Sequence, residues 1–228
     1  MTSFRRFAIY VVPEGDLYRY GADWLGWDSV TGAEALPPDM PGLPAPAADL
    51  KERPRKYGFH GTIKPPMRLA DSKTPADLQT ALAAFCERRA PVNCGRLTVR
   101  RLGRFIAIVP DASVPALSDL AARTVEALDD FRMPPSDTEL ARRRGSGLTA
   151  RQDELLLTWG YPYVMEEFRF HLTLTGPLVP DQAESIRAVL AEHFAPVLSD
   201  PFVIRSLALM GEDAEGRFHL ISRASLDG

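Results

Sequence analysis

A chain of 228 residues with 45% hydrophobic content can close one large core or two small lobes. Its 27 Lys and Arg stand against 30 Asp and Glu, and the formal net charge of -3 excludes the broad basic field that a binder of long nucleic acid needs. No run approaches the roughly 20 apolar residues of a membrane span. The opening Met1-Thr2-Ser3-Phe4-Arg5-Arg6 leads into a strand-like run rather than a signal peptide, so the chain is expected in the cytoplasm and off the membrane. Cys86 and Cys94 fit neither a disulfide framework nor a metal spacing and read as buried thiols.

In chain order, residues 7–12 are branched and aromatic, stop at Pro13 and read as a buried strand. The aromatic residues of 15–27 fit one face of a broken helix. Between Gly32 and Arg55 the six prolines Pro37, Pro38, Pro41, Pro44, Pro46 and Pro54 predict a long irregular loop, either a substrate cover or a surface insertion. Residues 57–64 alternate apolar and polar side chains. In an extended chain this places Phe59 and Ile63 on a core face and His60, Thr62 and Lys64 on the opposite face, with pairing ended by Pro65-Pro66. Thr74-Pro75-Ala76-Asp77 opens a capped helix with Leu78, Leu82 and Phe85 buried. A hairpin follows, with strands at 97–100 and 105–109, then a helix over about 114–131.

Residues 133–167 read as an insertion of two short helices, opened by the capping pairs Ser136/Glu139 and Thr149/Gln152. Between them Arg142-Arg143-Arg144 is either a solvated face or a contact for a second phosphate. Trp159 to Tyr163 stacks on a sugar or base, or plugs a gap. Residues 168–175 repeat the alternation, with Phe170, Leu172 and Leu174 inward and Arg169, His171, Thr173 and Thr175 outward. A helix from Asp181 to His193, capped by Asp181 and Glu184, and a hairpin of residues 202–210 and 218–222 complete the chain.

The second half repeats the plan of the first, and Gly103-Arg104-Phe105 returns as Gly216-Arg217-Phe218. His60 and His171 lie 111 residues apart, and Arg104 and Arg217 lie 113 apart. The expected architecture is α+β: one bilobal domain over 1–228 built from a pseudo-twofold duplicated unit. Its repeats run over about 57–131 and 168–223, each an antiparallel sheet with flanking helices. A central cleft then carries both His-x-Thr strands.

Paired imidazoles supply a base for an attacking water and an acid for a departing oxygen near neutral pH. The hydroxyls of Thr62 and Thr173 are placed to hydrogen-bond the oxygens of a phosphate. Tyr57, Lys64, Arg169, Tyr163 and Arg143 are the candidate substrate contacts. A metal site would need a third close ligand beside His60 and His171, and neither strand supplies one, so no metal or other cofactor is expected. His193 reads as a helix C-terminal dipole partner and His219 as a packed or exposed strand residue.

The paired motifs, with Arg55 to Pro66 and Trp159 to Tyr163 through Thr175, resemble the 2H phosphoesterases, in particular the branch encoded in bacterial phosphonate-utilisation operons. The resemblance implies a metal-independent enzyme that opens a small cyclic phosphodiester. Its implied substrate is a ribose cyclic phosphate such as 5-phosphoribosyl 1,2-cyclic phosphate, with a functional link to enzymes that cleave carbon-phosphorus bonds. Two other readings stay open at this point: a non-catalytic module that binds a small phosphorylated sugar or nucleotide, and an RNA 2′,3′-cyclic phosphodiesterase.

Overall fold

The run Phe7 to Val11 forms β1 (Arg6–Val11), buried on both faces, in a computed structural model that describes residues 4–198 and 201–228. After it come α1 (Gly15–Leu25), α2 (Ala47–Arg55) and β2 (Gly61–Met67). The first repeat continues with α3 (Pro75–Cys86), β3 (Val92–Asn93), β4 (Leu97–Leu102), β5 (Phe105–Pro110) and α4 (Pro115–Ala127). The insertion supplies α5 (Asp137–Arg144) and α6 (Ala150–Trp159). Last come β6 (Leu172–Thr173), α7 (Ala183–Phe194), β7 (Val203–Ile204), β8 (Ser206–Glu212) and β9 (Phe218–Ser225).

Seven strands form one antiparallel sheet in the order β4-β5-β6-β2-β1-β8-β9. The first repeat's hairpin, β4-β5, therefore flanks the second repeat's His strand, while β8-β9 reaches the first repeat's His strand through β1. A separate ribbon pairs β3 with β7, at matching positions in the two repeats. One sheet face carries Phe7, Ile9, Ile63, Ile108, Leu172 and Leu209. They share a core with Leu78 and Leu82 of α3, Leu117 of α4, and Ile186 and Phe194 of α7. The opposite face carries a smaller cluster of Ala8, Tyr10, Ala208, Met210 and Phe218, and beside it lies the cleft. Among the described residues no helix is long and apolar enough to cross a membrane.

The expected helix starts at Thr74, Ser136 and Thr149 are all present as capping boxes, and Cys86 and Cys94 are buried and free. Several boundaries differ. The 15–27 stretch is an unbroken helix that ends at Gly26 in the left-handed conformation. The proline-rich loop gives way to α2 from Ala47, because Pro46 occupies the cap, where no amide is needed, and Pro54 sits in the last turn. The Asp181/Glu184 box does not form. Residues 180–182 make a 3-10 turn behind Pro180, α7 starts at Ala183, and Glu184 pairs with Arg187 instead.

Lys64 is the consequential difference. Tyr10 pairs with Thr62, but the next residue of β1, Ile9, pairs with Lys64, so Ile63 is the extra residue of a β-bulge. A bulge breaks the period of two. Lys64 accordingly shares the face of Ile9, beneath α4, and its ammonium donates to the Val125 carbonyl and to Asp129, each at 3.1 Å. A further register shift lets β2 run through Pro65 and Pro66 to Met67, rather than ending before them.

Burial pulls the Lys64 ammonium down to about 8, against the opposing pull of Asp129, so it is still charged at neutral pH. Asp129→Ala leaves that charge buried without its carboxylate and is expected to destabilise the fold by about 3 kcal/mol. Lys64→Met keeps the volume, removes the charge and should cost less than about 1 kcal/mol. Urea unfolding of the two variants checks the order.

Candidate active site

Both histidines are oriented by the same local device. Gly58 adopts a positive φ of 71° at the end of α2, which turns its carbonyl toward the ring of His60, with Nδ1 2.9 Å away. A β-carbon at Gly58 would also meet the Ser29 side chain at 2.8 Å, so glycine is required there twice over. His171 Nδ1 lies 2.7 Å from the carbonyl of Arg169, again two residues upstream. A carbonyl only accepts, so each Nδ1 carries a proton and each neutral ring keeps its lone pair on Nε2. His60 Nε2 is 3.1 Å from the Thr62 hydroxyl, which donates to it when the ring is neutral.

The sheet register brings the two motifs together. Gly61 pairs with Leu172 in the antiparallel contact of β2 with β6. One residue further along each chain, Thr62 falls opposite His171 and His60 opposite Thr173, all four on the face away from the main core. The two triplets are thus related by a local twofold through the Gly61–Leu172 pair. Gly61 carries no side chain because the Phe170 ring covers it, 2.3 Å from where a β-carbon would stand.

The Tyr10 ring stacks on His60 at a centroid distance of 3.7 Å, and Phe105 lies 5.4 Å from His171. Burial pulls His60 down from its ordinary 6.5 to about 4, the Gly58 carbonyl opposing the shift and the charge of His171 adding to it. Burial also lowers His171, against the Arg169 carbonyl. Both rings are therefore neutral at pH 7 in the unliganded protein.

A cavity of about 650 Å³ is lined by His60, Thr62 and Thr173. An adjoining pocket of about 340 Å³ holds His171 and shares Thr62, Pro65, Phe105 and Tyr161 with the first. A larger groove, about 740 Å³, lies between α2 and the Glu215–Arg217 turn. It contains neither His60 nor His171, and its Lys51 is occupied by the Trp24 carbonyl, so the His cavity is the candidate site.

Of the residues expected at the site, Tyr57 borders the main cavity with its ring stacked on Phe218 at 5.4 Å. Arg143 also lines it, with its guanidinium 4.7 Å above the Tyr161 ring. Arg144 turns away to Asp153. Arg169 and Tyr163 border the adjoining pocket, where the Arg169 guanidinium donates to the carbonyls of Glu166 and Phe168. Lys64 lines neither pocket, for the reason given by the bulge. Thr175 faces the cavity but spends its hydroxyl on the Ile106 amide and the Gly176 carbonyl. His219, bonded to Asp213 at 2.7 Å, also lies outside both pockets.

Sequence reasoning missed Arg6, Tyr10 and Phe105 as cavity residues. Strict alternation in β1, which puts Tyr10 opposite Ile9 and Val11, was the available signal for the tyrosine. The repeated Gly-Arg-Phe turn was the signal for Phe105.

Fold and site together define a mixed α and β protein whose seven-stranded antiparallel sheet carries two His-x-Thr triplets on or beside paired strands. Residues 62–219 match the family model described as "Protein of unknown function (DUF1045)", and the chain belongs to that family. It is 35% identical over 221 residues to "Ribose 1,5-bisphosphate phosphokinase PhnN" of Janthinobacterium sp. (strain Marseille), covering 94% of this chain and 49% of that protein. To the protein of the same name from Laribacter hongkongensis (strain HLHK9) it is 32% identical over 214 residues, covering 92% and 49%. The chain thus spans about half the length of the curated relatives it matches. Among solved structures, E. coli LigT complexed with phosphate aligns over 100% of both chains at 11% identity and a TM-score of 0.44. The same protein complexed with 3'-AMP aligns over 99% and 100% at 14% identity and a TM-score of 0.43.

The half-buried neutral imidazoles make stability depend on pH. Unfolded histidine binds its proton near 6.5, while folded His60 and His171 bind theirs at lower pH, so the unfolded state gains protons first as pH falls. Their contribution is present in full above pH 6.5 and is lost as pH drops toward 4. The melting temperature is expected to fall between pH 7.5 and 5.0, and to fall less in the His60→Gln/His171→Gln variant. Calorimetry of both proteins at the two pH values checks this.

Proposed function

We propose that this chain is a metal-independent phosphoesterase that hydrolyses a small cyclic phosphodiester by paired histidine general acid-base catalysis. The observation that carries the reading is the register: the Gly61–Leu172 pair sets each imidazole opposite the other motif's threonine, with both Nε2 atoms left for chemistry. A phosphate between the motifs has a proton acceptor on one side, a proton donor on the other, and two hydroxyls for its non-bridging oxygens.

His60, whose ring burial pulls down to about 4 and whose Nε2 keeps its lone pair, serves as the base. Its Nε2 takes a proton from water as the water oxygen attacks phosphorus. His171 enters protonated, favoured by the anionic diester beside it, and gives its Nε2 proton to the sugar oxygen as the phosphorus-oxygen bond breaks. The product is the ring-opened phosphomonoester. Thr62, hydrogen-bonded to His60 in the unliganded site, turns its hydroxyl to the phosphate when the substrate enters.

The proposed substrate is a ribose cyclic phosphate such as 5-phosphoribosyl 1,2-cyclic phosphate, in a pathway with carbon-phosphorus bond cleavage. Three considerations support it. The motifs resemble the branch linked to phosphonate use, the name of the relatives concerns a ribose bisphosphate, and a cavity of about 650 Å³ has room for a phosphorylated pentose. A net charge of -3 disfavours long RNA.

With chelator present, the protein is expected to turn over ribose 1,2-cyclic phosphates, followed by phosphorus NMR, and His60→Ala or His171→Ala should each lose at least about 10³-fold in kcat. Tight binding without turnover would move the reading to a phosphometabolite-binding module. The kcat/KM profile should be bell-shaped with its maximum below pH 6.5, because His60 must be neutral and His171 protonated in the free enzyme. A maximum above pH 7.5 contradicts the assignment.

A further inference from the structure

Five arginines, Arg6, Arg68, Arg132, Arg142 and Arg143, line a small recess that shares Arg6, Pro66, Arg142 and Arg143 with the His cavity. Three of them have carboxylate partners. Arg6 is paired with Glu212, Arg68 with Glu139 at 2.9 Å, and Arg132 with Asp129 at 2.8 Å. Arg142 and Arg143 have none among the described residues, yet both line the cavity.

Arg143 is half-buried, its plane set over Tyr161, and burial lowers its guanidinium below the ordinary arginine value. A guanidinium withdrawn from water without a counter-ion is unfavourable until an anion arrives. An independent observation points the same way. Tyr10 is fully buried and lines the cavity, and its hydroxyl has no hydrogen-bond partner. Its ring is stacked on His60, and it lines the same cavity as Arg6, Arg142, Arg143 and Tyr161. An unpaired buried donor costs stability unless something fills it.

We propose that Arg143 and Arg142, with the Tyr10 and Tyr161 hydroxyls, form a second anion subsite that takes a terminal phosphomonoester of the substrate. This rests on the phosphoesterase reading and deepens it: the substrate carries two phosphates, a cyclic diester between the histidines and a monoester at the arginines. Arginine suits the second position because its planar fork meets two phosphate oxygens at once and stays charged when desolvated.

The test compares ribose 1,2-cyclic phosphate with and without its 5-phosphate, and a nucleoside 2′,3′-cyclic phosphate with and without a 5′-phosphate, in the parent, Arg143→Gln and Tyr10→Phe. The parent should prefer the monoester-bearing form of one scaffold by about 100-fold in kcat/KM, and the scaffold that shows it identifies the source of the phosphate. Arg143→Gln should collapse that ratio to below about 5, chiefly through KM, while the form lacking the monoester loses much less. Tyr10→Phe should lower the ratio without lowering the melting temperature, an outcome that a purely structural tyrosine does not give.

Equal turnover of both forms by the parent, or an equal loss on both in Arg143→Gln, overturns the subsite and leaves the two-histidine reading intact. If the parent hydrolyses none of these esters, titration with ribose 5-phosphate decides: binding lost in Arg143→Gln keeps the subsite while the catalytic reading falls, and no binding removes both.

Discussion

Everything at the site depends on one backbone contact, the antiparallel pairing of Gly61 with Leu172. The pair lies where the two repeats meet, and its register alone sets each histidine opposite the other repeat's threonine. A slip of β6 by one residue would turn His171 toward the helical core and away from His60. The register is held by burial on the far side of the sheet, where Ile63, Leu172 and Leu174 pack with Phe170 over a glycine that no larger residue can replace. The main core and the cavity are two faces of one constraint.

Burial then sets the electrostatics. Tyr10 covers His60, Phe105 lies beside His171, and the imidazoles are held neutral at a pH where free histidine is partly charged. Backbone carbonyls two residues upstream fix both tautomers, so no acidic side chain is needed to orient either ring. In the proposed reaction the substrate's own anionic charge supplies the opposing influence and lets His171 hold a proton. The arginine end of the cavity follows the same logic, with the Arg143 guanidinium partly desolvated ahead of the anion that it is proposed to meet.

Much of this was legible because local rules were left undisturbed. The capping boxes at Thr74, Ser136 and Thr149 formed as their sequences specify, since a helix start is decided by residues three apart. The repeated Gly-Arg-Phe turn and the alternation around His171 also kept their period. The differences lie where a proline set the boundary of an element. Asp181 and Glu184 did not cap because Pro180 began a 3-10 turn first, and α2 formed within a stretch whose prolines looked prohibitive because two of them fell at its ends.

The sequence by itself determined the two triplets and the faces on which His60, Thr62, His171 and Thr173 lie, because strand periodicity is a property of the chain alone. Only the tertiary structure decided what Lys64, Tyr10 and Arg143 do. Ile63 became a bulge when β2 paired with β1, and that single extra residue carried Lys64 across the sheet to Asp129. Tyr10 and Arg143 line one cavity, which exists only once residues 133 positions apart are packed together. Which charges lose water, and which find a partner, is settled by long-range packing, and no local pattern encodes it.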